Sequence, residues 1–169
     1  MKATIIYGSD TGNTRTAAED IAEQLGGRSL EVISATVEDF EGCDLLVLGT
    51  PTSGYGDLQA DWECYLKTLR AARLEGRTVA LFGLGDQMTY ADTFCDAIGV
   101  LYEELMGLGA AVIGATATAG YDFFSSRAVV EGRFVGLVLD EENQGDESGS
   151  RIASWVVSLK AQVGELVEA

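Results

Sequence analysis

Residues 3–14 read Ala-Thr-Ile-Ile-Tyr-Gly-Ser-Asp-Thr-Gly-Asn-Thr, and this stretch decides the fold of the chain. Its first half is apolar and rich in β-branched side chains, which favours a buried strand. Its second half is a polar turn, and residues 14–25 then carry apolar side chains at helical spacing before Gly26-Gly27 ends the helix. The stretch therefore predicts a strand that passes through a short turn directly into a helix.

The same alternation of strand and helix continues along the chain. Predicted strands cover residues 3–8, 30–33, 43–49, 78–82 and 111–115, with a strand-like stretch again at 134–139. Predicted helices cover residues 14–25, 59–69, 93–108 and 152–163. The run at 43–49 is almost wholly apolar, which is typical of a strand covered on both faces. Alternating strands and helices predict an α/β fold, in which helices cover both faces of a parallel sheet.

Two segments depart from this alternation. Residues 116–133 are polar and aromatic with turn character, so we expect a loop, at about residues 117–133, inserted within the fifth strand. Residues 141–150 are acidic, and we expect them to be flexible. Neither an internal repeat nor a linker divides the sequence, so we expect residues 1–169 to form a single domain.

The charge balance and the missing residue types narrow the classes of function. The net charge of −16 disfavours binding to nucleic acid or anionic lipid. Such a surface either steers the protein toward a basic patch on a partner or serves only solubility. The sequence has no histidine, and its three cysteines show no CxxC spacing, which argues against His-dependent catalysis, most zinc sites and iron–sulfur clusters. Redox chemistry would therefore need an organic cofactor.

The sequence carries no recognisable targeting or membrane signal. The apolar run that follows Lys2 is too short for a signal-peptide core and ends in a polar turn. No apolar stretch approaches membrane-spanning length, and the odd number of cysteines disfavours a disulfide framework. We therefore expect a cytoplasmic protein with no membrane partner.

Three unusual loops follow predicted strands, where open α/β sheets bind their ligands. The first is Ser9-Asp10-Thr11-Gly12-Asn13-Thr14. Its hydroxyls and backbone amides converge on the amino terminus of a helix, which favours an anion. The loop has no Lys, and Arg15 lies just past it, so it suits one phosphate held by neutral donors rather than a magnesium nucleotide. The alternative is an ordinary helix start with Asn13 as its cap.

The second and third loops could hold a flat ring between them. The second, residues 50–57, contains Gly54 and Gly56, and it is either a plain turn or a close approach to a ligand. The third, residues 83–92, does not complete a GxGxxG motif, because Met88 stands where the last glycine would be. Its aromatic residue, Tyr90, is either a surface anchor or a stacking platform. A phosphate site beside two such loops matches the composition of FMN.

Together these motifs resemble those of the flavodoxin family. Residues 9–14 are similar to the family's phosphate motif, Thr/Ser-x-Thr-Gly-x-Thr, and residues 50–56 and 85–92 are similar to its two flavin loops. Residues 120–123 and 134–141 resemble the extra loop and final strand of the long-chain subfamily. The resemblance covers essentially the whole chain. It implies a flavodoxin-like, doubly wound, five-stranded parallel sheet in the order 2-1-3-4-5, within three α/β/α layers.

The resemblance also implies which residues bind FMN. The phosphate would be held by the loop amides and by the side chains of Ser9, Thr11, Asn13 and Thr14. The whole cofactor-binding set implied in this way is Ser9, Asp10, Thr11, Gly12, Asn13, Thr14, Pro51, Thr52, Ser53, Gly54, Tyr55, Gly56, Leu84, Gly85, Asp86, Tyr90, Thr93 and Asp96. We expect no catalytic and no metal-binding residue.

Several of these residues would meet the flavin ring itself. Tyr90 would stack on its outer face, and Gly85 and Asp86 would meet the pyrimidine edge through backbone groups. Thr93 and Asp96 would lie near the ribityl chain and the ring edge.

The second loop contains one match to the family and one departure from it. Gly54 matches the residue whose carbonyl turns toward flavin N5 on one-electron reduction, a rotation that glycine makes easy. Ser53 stands where the family often has a tryptophan or another bulky apolar residue over the inner ring face. Either that face is more open here, or Tyr55 or Leu58 covers it.

The function that the resemblance implies is a low-potential one-electron carrier with non-covalently bound FMN, not a substrate-converting enzyme. Its partners would be redox proteins with basic docking surfaces, such as ferredoxin–NADP reductase and nitrogenase reductase, and we expect a monomer. The alternative is an FMN-dependent NAD(P)H:quinone reductase of related fold. A receiver domain is disfavoured because no lysine lies between Lys67 and Lys160. The remaining alternative is a cofactor-free interaction module, which would be colourless.

Overall fold

The apolar runs of the sequence form the central sheet in the computed structural model, which describes residues 1–168. In chain order the strands are β1 (Ala3–Tyr7), β2 (Arg28–Glu31), β3 (Leu45–Ser53), β4 (Asp57–Leu58), β5 (Thr78–Leu84), β6 (Ala111–Ile113), β7 (Thr116–Ala117), β8 (Val129–Val130), β9 (Arg133–Phe134) and β10 (Leu137–Leu139). The helices are α1 (Asn13–Leu25), α2 (Val37–Glu41), α3 (Ala60–Ala71), α4 (Asp96–Gly107), α5 (Glu141–Gln144) and α6 (Ser148–Glu168).

The long strands pair in parallel in the order β2-β1-β3-β5. Two short strands share the outer edge of β5, since β6 pairs with its first half and β10 with its second half. Together β6 and β10 occupy the place of one fifth strand. The predicted parallel sheet in the order 2-1-3-4-5 is therefore confirmed, with a fifth strand in two pieces.

The segment between β6 and β10 forms a small sheet of its own. Its strands β7, β9 and β8 pair in that order and are antiparallel. Phe134, which the sequence placed in a strand continuous with residues 137–139, belongs to β9 of this small sheet instead. Backbone pairing with β7 and β8 gives its amide and carbonyl partners outside the main sheet.

The core lies in two apolar layers, one on each face of the sheet. Neighbouring residues of a strand point to opposite faces, so Ile5 packs beneath α1 and α6 while Ile6 packs beneath α3 and α4. Both side chains are fully buried. Because both faces are covered, the central strands need mostly apolar residues, which explains their nearly continuous apolar runs; in β1 the exception is Thr4, which is also fully buried.

Two strand boundaries differ from the predicted ones. β3 continues through residues 50–53, which were expected to lie in a loop, because Pro51 pairs with β5 and Ser53 pairs with β4. β2 begins at Arg28 and ends at Glu31, and residues 32–34 form a 3-10 helix rather than its last part. In both places strand pairing, and not the apolar run, sets the boundary.

Two helical regions also differ from the predictions. The helix expected from residue 93 begins at Asp96, because Cys95 has a left-handed backbone with φ of 54° that interrupts helical geometry. The expectation that residues 141–150 are flexible is wrong. They form α5, a 3-10 helix at Gly145–Glu147 and the first residues of α6.

The longest helix, α6, spans 21 residues and buries the predicted apolar stripe, which includes Ile152, Trp155 and Leu159. Its outer face is exposed, so the helix is amphipathic. Among residues 1–168, no helix combines the length and the apolar composition needed to cross a bilayer.

We predict that Gly49→Ala lowers the free energy of unfolding by about 2 kcal/mol. A β-carbon at residue 49 would lie 2.0 Å from Cζ of Phe82, which is fully buried and is the partner of Gly49 in the pairing of β3 with β5. Urea unfolding would measure the loss. Gly164→Ala is the control, because nothing lies within 4 Å of the added carbon in α6 and the substitution should stabilise that helix by roughly 0.5–1 kcal/mol. Equal stability of Gly49→Ala and the wild type would contradict the close packing described here.

Candidate functional site

A cavity of about 250 Å³ opens at the carboxyl ends of β1, β3 and β5. Its lining residues are Asp10, Thr11, Asn13, Thr14, Pro51, Thr52, Leu84, Gly85, Asp86, Tyr90, Glu141 and Glu142. All three predicted loops contribute to it, because parallel strands deliver their carboxyl ends to the same edge of the sheet. We call the part formed by residues 10–14 the helix end, and the part formed by residues 84–90 with Glu141 and Glu142 the tyrosine end.

The helix end is built around the start of α1. Gly12 is the residue before the helix, with a left-handed φ of 97°, and Asn13 is the first helical residue. The alternative in which Asn13 caps the helix is therefore wrong, and no side chain caps α1. The first amides of a helix have no acceptor inside it, so those of α1, whose residues Asn13 and Thr14 line the cavity, are available there as anion donors.

Hydroxyls lie beside these amides, and no lining side chain is cationic. The hydroxyl oxygen of Ser9 accepts a hydrogen bond from the Gly12 amide at 3.1 Å, which leaves its proton free to be donated. Arg15 forms a salt bridge with Glu31, and the lining residues include no Lys or Arg. An anion at the helix end would thus be held by amides, hydroxyls and the helix dipole rather than by a cation.

The sequence did not single out Gln59, which supports the helix end from behind. Its side chain is buried, and Nε2 donates to Asp10 Oδ1 at 3.0 Å and to Asp61 Oδ2 at 2.9 Å. Its Oε1 accepts from the Trp62 amide at 3.2 Å. Gln59 therefore fixes Asp10 to the start of α3, a contact between residues 49 positions apart that no local pattern reveals.

The second loop contributes only Pro51 and Thr52 to the lining. Tyr55 is 87% exposed, and Leu58 lies in the hydrophobic core, so neither lines the cavity as a substitute for the bulky residue absent at Ser53. Thr52 is fixed from below, where its Oγ1 accepts from the Ala97 amide at 3.2 Å.

The third loop forms the wall of the tyrosine end. Oδ1 of Asp86 accepts from the Thr89 amide at 2.9 Å and from the Met88 amide at 3.2 Å, and the Tyr90 amide donates to the Asp86 carbonyl at 2.9 Å. Burial alone would raise the pKa of Asp86, but these amides and Asn143 outweigh it, so the pKa lies below its ordinary value. Asp86 is therefore an anion whose turn presents Tyr90 to the cavity.

Eight of the eighteen predicted residues lie outside the lining: Ser9, Gly12, Ser53, Gly54, Tyr55, Gly56, Thr93 and Asp96. Ser9 and Gly12 support the lining residues of the helix end through the hydrogen bond between them. Thr93 and Asp96 lie beneath Gly56, where a β-carbon would be 3.2 Å from Thr93 Cβ and 2.7 Å from Asp96 Oδ2. Gly56 has φ of +91° and no room for a side chain, so these residues seat the second loop rather than line the cavity.

Two acidic residues that the sequence did not assign to the site, Glu141 and Glu142, line the tyrosine end. They form the first turn of α5, which starts where β10 ends, at the same edge as the three loops. The signal that could have found them is their position directly after the last strand. With Asp10 and Asp86 they make the lining strongly acidic. Within residues 1–168, no group of His, Cys, Asp and Glu side chains is arranged to hold a metal ion.

Comparison with known proteins agrees with this geometry. Residues 5–155 match the model of the flavodoxin family. A flavodoxin from Synechocystis is 45% identical over 163 residues, which cover 94% of this chain and 96% of that protein. A flavodoxin from Helicobacter pylori is 43% identical over 160 residues, with 94% and 96% covered. The crystal structure of Fusobacterium nucleatum flavodoxin bound to flavin mononucleotide superposes with a TM-score of 0.90 at 32% identity, covering 95% of this chain and 98% of that one.

We predict that Asp96→Asn becomes more stable relative to the wild type as the pH rises. Burial raises the pKa of Asp96 above its ordinary value of 3.8, although Oδ1 accepts from the Arg127 amide at 2.8 Å. The folded protein then binds this proton more tightly than the unfolded chain, so its contribution to stability is lost as the pH rises through the folded-state pKa. The asparagine keeps the oxygen acceptor and does not titrate.

Urea unfolding of both proteins, at a series of pH values from 3.8 to neutrality, measures the difference in free energy of unfolding. Asp44→Asn, at an exposed carboxylate near the amino end of β3, is the control for the loss of one negative charge. A difference between Asp96→Asn and the wild type that does not vary with pH would show that burial leaves the Asp96 pKa unchanged.

Proposed function

The chain belongs to the flavodoxin family, and on this premise we propose that it binds one FMN non-covalently in the cavity and carries single electrons between redox enzymes. The observation that carries the proposal is the pairing of the two ends. Uncapped helix amides and hydroxyls without a cation suit a phosphate, and a half-exposed tyrosine with backbone groups suits a flat ring. The neighbour from Fusobacterium nucleatum, with the same fold, is bound to flavin mononucleotide.

At the helix end, we assign the FMN phosphate to the amides of residues 11–14 and to the hydroxyls of Ser9, Thr11 and Thr14. The dipole of the 13-residue α1 adds a favourable field there. The side-chain amide of Asn13, in the first turn of α1, supplies a further donor. Asp10 and Gly12 set the backbone path of this loop.

At the tyrosine end, we assign the flavin ring to Tyr90, with the backbones of Leu84, Gly85 and Asp86 along its edge. Pro51 and Thr52 would meet the ring from β3. The remaining predicted residues, Ser53, Gly54, Tyr55, Gly56, Thr93 and Asp96, would shape and seat the second loop. Gly54, exposed and with φ of 50°, has the backbone freedom that a rotating peptide needs.

The cofactor supplies acceptance and release of electrons one at a time, and the protein sets the free energy of each step. Four carboxylates and no cation line the cavity, so adding negative charge to a bound ring is disfavoured. The second electron, which adds that charge, would therefore be held at low potential. The chain is an electron-transfer protein rather than a substrate-converting enzyme.

The partners that we propose are redox proteins with basic docking surfaces, such as ferredoxin–NADP reductase and nitrogenase reductase. Support comes from the net charge of −16 and from the exposed side chains of Tyr55 and Met88 in the loops beside the acidic cavity. Exposed apolar side chains within an acidic surround suit transient docking, since charge steers the encounter and little area is buried.

We further propose a cytoplasmic monomer whose residues 1–169 form one domain. The inserted segment, by which we mean the chain between β6 and β10, shares the core. Phe123 and Phe134 of this segment pack on Phe94 at ring centroid distances of 5.3 and 6.1 Å.

The first test is a redox titration of the FMN-reconstituted chain. We expect a visible absorption spectrum and two separate one-electron steps, the second at low potential. Glu141→Gln and Glu142→Gln should each raise the potential of the second step by about 20–70 mV, the value for unit charges roughly 10 Å apart at effective dielectric constants between 80 and 20. Asp44→Asn, beyond the opposite end of the sheet, should leave both potentials unchanged. A colourless preparation or a single two-electron step would overturn the proposal.

The second test concerns the partner. Electron transfer to or from ferredoxin–NADP reductase should slow by roughly tenfold between 50 mM and 500 mM salt, because added ions screen the attraction between an acidic and a basic surface. Stopped-flow absorbance follows the reaction. Reduction of the same protein by an uncharged small reductant is the control and should vary little with salt. Rates with the reductase that do not depend on salt would count against electrostatic docking.

A further inference from the structure

Asp140, at the end of β10, is a carboxylate buried without a cation. Its side chain is fully buried, and no salt bridge involves it among the described residues. Oδ2 accepts from the Gln87 amide at 3.0 Å and from Gln87 Nε2 at 2.8 Å, and Oδ1 accepts from the Asn143 amide at 3.1 Å. Burial of a charge is costly unless such bonds satisfy it, so this carboxylate needs every one of these donors in place.

These donors come from the two walls of the tyrosine end. Gln87 lies in the third loop, directly after Asp86, and Asn143 lies in α5, directly after Glu142. Asn143 Nδ2 donates to Asp140 Oδ2 at 2.9 Å and also to Asp86 Oδ1 at 2.9 Å. One buried carboxylate thus ties the loop that presents Tyr90 to the helix that presents Glu141 and Glu142.

Gln87 fixes the position of the third loop through both ends of its side-chain amide. Its Nε2 is taken by Asp140, and its Oε1 accepts from the Asp122 amide of the inserted segment at 2.6 Å. Its side chain is buried, so water offers no replacement partner. The third loop is therefore fixed on one side by β10 and on the other by the inserted segment.

We propose that Asp140 is the positioning residue of the tyrosine end: it holds the third loop and α5 at the separation that a flavin ring requires. This inference rests on the proposed function, since the ring is the ligand of that end. Asp140 lies outside the cavity lining, so it acts through Gln87 and Asn143. An asparagine at 140 would present an NH₂ group to a site where every hydrogen-bond partner of the side chain is a donor, so two acceptor oxygens are needed.

The experiment is a fluorescence titration of the apoprotein with FMN and, separately, with riboflavin, which has the ring but no phosphate. Asp140→Asn should weaken both ligands at least tenfold and by a similar factor, because the helix end is untouched. Gln59→Leu provides the contrast. It frees Asp10 at the helix end and should weaken FMN by a larger factor than riboflavin.

The control for stability alone is Asp39→Asn. Asp39 is also a carboxylate held by a backbone amide, from Thr36 at 2.8 Å, but its partner Arg28 begins β2 at the opposite edge of the sheet. It should lower the urea midpoint and leave both affinities unchanged. If Asp140→Asn does not fold, Asn143→Ala tests the positioning role instead, because Asn143 is exposed and its replacement should leave the fold intact. Loss of the Asn143 side chain should weaken the binding of both ligands by roughly three- to tenfold.

The outcomes separate this inference from the proposed function. Wild-type affinity of Asp140→Asn for both ligands, or a loss confined to FMN, would overturn the positioning role. For Asn143→Ala, unchanged affinity for both ligands would do the same. A wild-type chain that binds neither FMN nor riboflavin would overturn the proposed function itself. Parallel losses in Asp140→Asn with intact binding in Asp39→Asn would establish the role.

Discussion

The site depends on the parallel pairing of β1, β3 and β5. Parallel strands that are covered on both faces must be largely apolar, and they all deliver their carboxyl ends to one edge. Loops from strands distant in sequence therefore meet there without any attraction between the loops themselves. The close contact of Gly49 with Phe82 shows how tightly two of these strands are held, and that rigidity is passed to the loops that follow them.

The second constraint is electrostatic: a very acidic chain must hold an anionic cofactor with no cation in the lining. Helix amides and hydroxyls can do this because their partial charges attract an anion without adding a full positive charge to the acidic surroundings of the ring. A lysine at the helix end would bind phosphate more strongly, but it would also bring positive charge close to the flavin. In the proposed assignment of the phosphate to the helix end, neutral donors let the affinity for the phosphate and the potential of the ring be set separately.

The sequence predicted the parts of this structure that local chemistry determines. Apolar runs located the strands, and the loop at residues 9–14 located the helix end. The extension of β3 to Ser53 was missed because it results from pairing with β4 and β5, and α5 was missed because four residues show no periodicity and depend on the Asp140 cap. Gln59 and Gln87 were missed for the same reason: a buried polar side chain is explained by partners far away in sequence.

The residues that hold the cavity from behind share one property. Gln59 and Asp140 are buried polar groups that line nothing, yet each fixes one end of the cavity from behind. The proposed function needs a rigid ring-binding wall together with freedom of the peptide at Gly54, and apolar packing cannot hold an exposed loop in that way. Hydrogen bonds to a buried carboxylate can, because their loss would leave an unsatisfied charge. The buried carboxylate of Asp140 thus makes the tyrosine end rigid. The second loop is held mainly by Thr52 and by Asp96 beneath Gly56, which leaves the backbone at Gly54 without such a restraint.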